Sequence, residues 1–222
     1  RACDDPAGIH RVIRLNTEIR GINIASRNAA DGQSLVDTLD TSLSEVQSIL
    51  LRMRELTIQA MSDTNSADDR LALDSELSQL ELEITRIGST TSFGGNPVFD
   101  GNTHYLQIGP RSGNTLEIQS YTLSAATLGL NQDLTSRGNA ENYLGIIDTA
   151  IQNINEKRGA AGALSNRLDF IMSNLDNSKV NLIKSRSNIE DADFAAESMK
   201  LAKAKILEPV SYTHLRAHET VV

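Results

Sequence analysis

Side chains able to do chemistry are few in this chain and lie far apart. Metal binding would fall to histidine, and outside the stretch Pro209 to Val222 only His10 and His104 are present, divided by a helix and a turn region. A metal site needs more ligands close together. Nucleophilic chemistry would fall to Cys3, Ser66 or Ser165, none of which has an evident base and orienting partner. Cys3 is the single cysteine and cannot close an internal disulfide. Asp4 and Asp5 beside it disfavour a thiolate, so it reads as a small residue near a helix start. The carboxylates Asp68, Asp69, Glu190, Asp191 and Asp193 fall where helices are expected to begin. The helix dipole favours negative charge there, so they read as helix-start charges rather than an acid–base pair. Gly94-Gly95 and Gly159 lack the pattern of a phosphate cradle. No enzyme, metal or cofactor is implied.

What is ordered in the chain is its apolar spacing. Val36, Leu39, Leu43, Val46, Leu50 and Met53 form one stripe. Leu73, Leu77, Leu80, Ile84 and Ile87 form a second, and Ala161, Leu164, Leu168, Ile171, Leu175 and Leu182 a third. Steps of three and four place each set on one helical face and predict mutually packed long helices. Asp5 before Pro6 is a helix-start signal, and a first helix is expected over about 5–61, with Gly21 and Gly32 as interruptions and a bend possible at Gly32. Ile9, Ile13, Ile19 and Ile22 lead into its stripe.

Ser62 to Ser66 breaks the pattern, and Ser66 with Asp69 resembles a capping box opening a second helix over about 66–88. The short break predicts an antiparallel pair of helices. Leu106 and Ile108 alternate, as do Leu116 and Ile118 across a proline- and glycine-bearing turn, which predicts a β-hairpin over about 104–119. After a loop through Leu123 to Gly138, a third helix is expected over about 139–184. Ser187 and Glu190 read as a further capping box that starts a new segment near Asn188. The expected fold class is mainly α: an elongated antiparallel bundle of long helices with a small β-hairpin.

Composition agrees with a bundle. Aromatic content is 4%, tryptophan is absent, and Leu, Ile, Val and Ala must fill the core. The net charge of −8 and the scattered basic residues argue against a nucleic-acid groove. No apolar run approaches the roughly 20 residues that a bilayer crossing requires.

Several blocks in order resemble bacterial flagellin, the filament subunit of the flagellum. Arg1-Ala2-Cys3-Asp4-Asp5-Pro6-Ala7-Gly8 is similar to the family's RASDDPAG, with Cys3 in place of a serine. Ile19-Arg20-Gly21 and Arg27 to Gly32 resemble the next block, and Arg52 to Ala60 resembles RMRELAVQA. Thr91 to Gly95 with Asp100-Gly101, Asn166-Arg167-Leu168, and Ile189 to Ala195 resemble later blocks. His10, Val12, Thr41 and Leu51 depart from the residues usual at their positions.

The resemblance implies a rod domain over residues 1–187, the start of a truncated C-terminal helical segment over 188–208, and no large outer domains. It also implies that the family's first terminal helix precedes residue 1. Val210 to Thr220 reads like a translated sequencing adapter, so 209–222 is set aside as a non-native tail. The implied function is an extracellular structural subunit, exported by the flagellar export apparatus with a chaperone, that self-assembles into a filament for motility. A hook-filament junction protein and an unrelated secreted coiled-coil protein are the alternatives. Arg52, Leu56 and Gln59 on one exposed face, with Glu76 on the second helix, resemble the patch recognised by Toll-like receptor 5, and the same patch would contact neighbouring subunits.

Overall fold

The computed structural model describes residues 6–191 and 198–205. Its elements are α1 (Pro6–Ala60), α2 (Ala67–Thr90), β1 (Ser92–Phe93), β2 (Asn96–Pro97), β3 (Thr103–Gln107), β4 (Thr115–Gln119), a 3-10 turn (Ala126–Leu128) and α3 (Arg137–Glu190). The helix-start signal at Asp5 lies outside the described residues. The chain divides into two compact units, one drawn from residues 1–19 and 180–222, the other being residues 20–179.

The larger unit holds the core. In α1, Val36, Leu39, Leu43, Val46, Leu50 and Met53 are all buried, as the three-and-four spacing requires. α3 runs antiparallel to α1, and polar ties set the register: Arg158 Nε donates to Asp40 Oδ1 at 2.9 Å, Gln47 Nε2 to Asn155 Oδ1 at 3.0 Å, and Arg54 Nε to Asp148 Oδ1 at 2.8 Å. α2 is antiparallel to α1 as well, tied by Arg70 Nε to the Ala60 carbonyl at 3.1 Å. From the second and third stripes, Leu77, Ile84, Leu168 and Leu175 are buried. Leu73, Leu80, Leu164 and Ile171 are half-buried against the core, as positions at the edge of a helix-helix seam are. Ile13, assigned to the α1 stripe, is instead exposed.

The Ser66–Asp69 capping box forms. The Asp69 N–H donates to Ser66 Oγ at 3.1 Å, and the Ser66 N–H donates to Asp69 Oδ2 at 2.9 Å. Each satisfies an amide that a helix start leaves without a partner. The hydrogen bonds from Ser66 hold the Asp69 carboxyl below its usual range.

The hairpin pairs Leu106 with Leu116 and His104 with Ile118, and Leu116 and Ile118 turn inward while their neighbours face outward. It lies against α1, where Asn28 Nδ2 donates to the Gln107 carbonyl at 2.9 Å. The α1 glycines explain this approach. A Cβ on Gly21 would stand 2.7 Å from Pro110 Cβ, and one on Gly32 would stand 2.3 Å from Leu106 Cδ2. Read from sequence as interruptions, both residues are the seats on which the hairpin rests, and α1 stays helical through them.

The third helix departs from expectation at its end. α3 continues to Glu190 instead of stopping near 184, and no capping box forms at Ser187. Arg186 is the reason. It pairs with Glu190 one turn on (Nε to Oε2 3.6 Å) and donates to Asn16 Oδ1 of α1 at 2.9 Å within the smaller unit. Glu190 is thereby used inside the helix. Ser187 Oγ bonds the Asp191 carboxylate, and the Asp191 N–H donates to the Ser187 carbonyl at 2.8 Å. Residues 198–205 are helical.

An exposed polar ridge on the first two helices

Arg52 and Glu76 face each other across the α1–α2 seam. Arg52 Nε and Nη2 donate to Glu76 Oε1 at 3.0 and 2.8 Å, and Nη1 donates to Glu55 Oε2 at 3.1 Å. One guanidinium therefore joins a carboxylate on the partner helix to one a turn away on its own, the fork geometry that arginine supplies and lysine does not. These carboxylates raise the arginine's pKa further, the Glu76 hydrogen bond contributing most. Both side chains remain well exposed, so the pair fixes the shape of the surface rather than anchoring the fold.

Gln59 lies two turns along α1 on the same exposed side, and its carbonyl accepts from Asn65 Nδ2 at 2.6 Å, tying the ridge to the α1–α2 turn. Leu56 is the exception to the expected patch. It is only 1% exposed and belongs to the interior, one turn from Met53 and Ala60. Because α1 has both α2 and α3 as neighbours, its buried sector is wider than one stripe and includes Ser42, Leu56 and Thr57. The exposed apolar residues here are Leu51 and Ile58, seven apart and so on one side of Arg52. The structure thus groups Arg52, Gln59 and Glu76 at one surface and places Leu56 beneath it.

A second polar meeting point joins α2 and α3. The phenol of fully buried Tyr143 donates to Glu81 Oε1, and Asp74 one turn-pair away accepts the Leu134 N–H at 2.8 Å. Burial is the main cause of a raised Glu81 pKa; Tyr143 opposes it and Asp74 adds to it. A raised folded-state value means that ionising Glu81 weakens the fold: its contribution is favourable below the unfolded carboxyl range and is lost as pH rises through the folded value. Glu81→Gln keeps an acceptor for Tyr143 while removing the charge. Its unfolding free energy from urea melts should lie slightly above wild type at neutral pH, by about 0.5 kcal/mol or less because solvent screens this half-exposed group, and should converge with wild type near pH ~4. This pair carried no periodic signal; a lone tyrosine facing a glutamate on another helix is visible only once the helices are paired.

The other candidate groups stay apart or take structural roles. Ser165 Oγ accepts from Gln33 Nε2 at 2.7 Å. His104 lies 3.4 Å from Asp100, whose carboxyl is lowered to about 2, chiefly by hydrogen bonds from Asn102. Among the described residues no three His, Cys, Asp or Glu side chains gather as a metal-holding group, and no helix is long and apolar enough to cross a membrane. Cys3 and Asp193 lie outside the described residues.

Residues 1–104 match the profile described as the bacterial flagellin N-terminal helical region, and residues 144–221 match that of the C-terminal helical region. The second match runs across most of the 209–222 segment. A flagellin of Halalkalibacterium halodurans is 40% identical over 97% of this chain and 81% of its own length. The crystal structure of Bacillus cereus flagellin superposes with a TM-score of 0.62 at 37% identity, covering 67% of this chain and 88% of that one. A putative flagellar hook-associated protein from Vibrio parahaemolyticus superposes with a TM-score of 0.73 at 16% identity, over 85% of this chain and 100% of that one, a likeness of fold alone.

Proposed function

The chain belongs to the bacterial flagellin family, and from that premise we propose how its parts serve the filament. It is an extracellular structural subunit of the flagellar filament, and copies of it polymerise. The finer assignments are ours. Residues 1–187 act as the rod domain packed along the filament, and 188–208 begin a C-terminal helical segment. Delivery uses the flagellar export apparatus and a chaperone, and the chain catalyses no reaction. Identity of 40% and 37% to two flagellins, against 16% to the hook-associated protein, favours the filament over the junction.

Within the rod domain, the Arg52–Glu76 ridge with Gln59 serves as a contact surface for neighbouring subunits, and Toll-like receptor 5 recognises it on the released monomer. The observation that carries this reading is the pair of hydrogen bonds from Arg52 onto Glu76 Oε1, with a third to Glu55, which fixes three charged side chains relative to one another beside Gln59. Exposed ion pairs contribute little to stability, so such an array is available for recognition at small cost to the fold.

The test is a receptor-reporter assay on soluble monomer. Arg52→Ala should lower signalling by about tenfold, the effect expected when one central charged contact is lost. Equal signalling by the variant and the wild type would count against the receptor assignment, while filament formation by the wild type would be untouched by that result.

A further inference from the structure

Aspartate followed by glycine is a chemically fragile linkage, because glycine puts no side chain in the way of its own amide nitrogen. That nitrogen attacks the aspartate Cγ and closes a five-membered succinimide, while the carboxyl hydroxyl leaves with the amide proton as water. Water then reopens the ring. Opening at the main-chain carbonyl leaves the chain running through the side chain as isoaspartate, with no net gain or loss of atoms or electrons. The sequence has two such linkages, Asp31-Gly32 and Asp100-Gly101, and no asparagine before a glycine.

The two differ in their surroundings. Asp31-Gly32 lies inside α1, which keeps ψ of Asp31 in the helical range and ties the Gly32 amide along the helix, so the ring cannot close. Asp100-Gly101 lies in the turn before β3, outside any helix. Nor can that turn dispense with its glycine: Gly101 has φ 77°, and a Cβ there would stand 3.2 Å from Thr122 Cγ2. The hazard is built into the fold. An extra backbone carbon at this point would shift Asn102, whose carbonyl accepts the Ser120 N–H at 3.0 Å beside the Thr103–Gln119 pair that opens the hairpin.

We propose that Asn102 guards the Asp100-Gly101 linkage against conversion to isoaspartate. Its N–H donates to Asp100 Oδ1 at 2.9 Å and its Nδ2 to Asp100 Oδ2 at 2.9 Å, so one residue engages both oxygens and fixes the carboxylate in one orientation. Hydrogen bonds to the charged form favour that form, and an ionised carboxylate resists attack because it has no hydroxyl to lose as water. The Asp100 carboxyl is accordingly lowered to about 2, the Asn102 side chain contributing most, and the His104 imidazole 3.4 Å away adds to it. The chemistry does not depend on the filament reading. Its use does follow from location, since a subunit outside the cell is beyond the reach of intracellular repair.

In the experiment the full chain and its Asn102→Ala variant are kept folded at pH ~5, where an unrestrained aspartate is still partly protonated. Isoaspartate at positions 31 and 100 is then read by mass spectrometry with electron-driven fragmentation, which separates the isomers. Each tenfold loss of acidity at Asp100 puts about ten times more of it in the protonated form, and the released carboxyl is also free to turn. Isoaspartate at position 100 should therefore form about tenfold faster in the variant. Position 31 is the internal clock: it should stay unmodified in both folded proteins and isomerise in wild type held unfolded in urea. Equal rates at position 100 in wild type and variant overturn the proposal. A parallel rise at positions 31 and 100 overturns it too, because the variant would then act by unfolding. So does folded wild type that isomerises at position 100 as fast as the urea-unfolded chain.

Discussion

Gly88→Ala should be far more damaging than an alanine in the last turns of a helix ordinarily is. A Cβ there would stand 1.9 Å from the Leu123 carbonyl oxygen and 2.8 Å from its carbon, both backbone atoms that no rotamer change can move aside. The segment cannot back away freely. Leu123 and Ala125 are buried in the core, and the Ala125 N–H donates to Thr85 Oγ1 at 3.2 Å, pinning the chain to the same turn of α2. Relieving the clash exposes part of Leu123, worth about 1.5–3 kcal/mol, and gives up a hydrogen bond of about 1 kcal/mol, against a helix-propensity gain of about 1 kcal/mol. The unfolding free energy should fall by about 1.5–3 kcal/mol.

The same substitution elsewhere provides the control. At Gly159 nothing opposes the new methyl group, and Ala should stabilise the monomer by about 0.5–1 kcal/mol. At Gly32 the obstacle is the far end of half-buried Leu106, which can turn away, so the change should lie between the two. Urea unfolding monitored by helicity, with unchanged slope, measures all three. Equal midpoints for Gly88→Ala and Gly159→Ala would refute the close-packing account.

These glycines mark where sequence stops being informative. Heptad spacing from Val36 to Met53 announces a buried stripe because periodicity is local, and the Ser66–Asp69 box announces a helix start for the same reason. The pairing of Leu106 with Leu116 follows from alternation across a turn. What presses on a glycine depends on another segment. Gly21 and Gly32 therefore read as interruptions until the hairpin is seen resting on them, and Gly88 as a helix end until Leu123 is seen against it. The stretch from Leu123 to Gly138 has no period and reads as loop, yet Leu123, Leu130 and Leu134 are buried. Ser187 with Glu190 has the letters of a cap, but Arg186 draws Glu190 into the helix. On the ridge, Arg52 and Gln59 were legible from spacing and Glu76 from resemblance. The position of Leu56 was not, since one stripe does not tell how many helices flank α1.

That misplacement leads to a prediction of comparable size. Leu56→Ala removes a side chain that is 1% exposed and should cost about 2–5 kcal/mol, the usual range for a buried leucine. Arg52→Ala removes an exposed ion pair and should leave the unfolding midpoint nearly unchanged. Both variants should lose function, for different reasons. If Leu56 acts beneath the ridge, its variant should lose receptor signalling only in proportion to the unfolded fraction, and signalling should recover on cooling or with a stabilising osmolyte. The Arg52 variant, folded throughout, should not recover. A Leu56→Ala protein with a wild-type midpoint and lost signalling would return that residue to the surface. Two side chains four positions apart on one helix are thus separated by thermodynamics where helical spacing alone joins them.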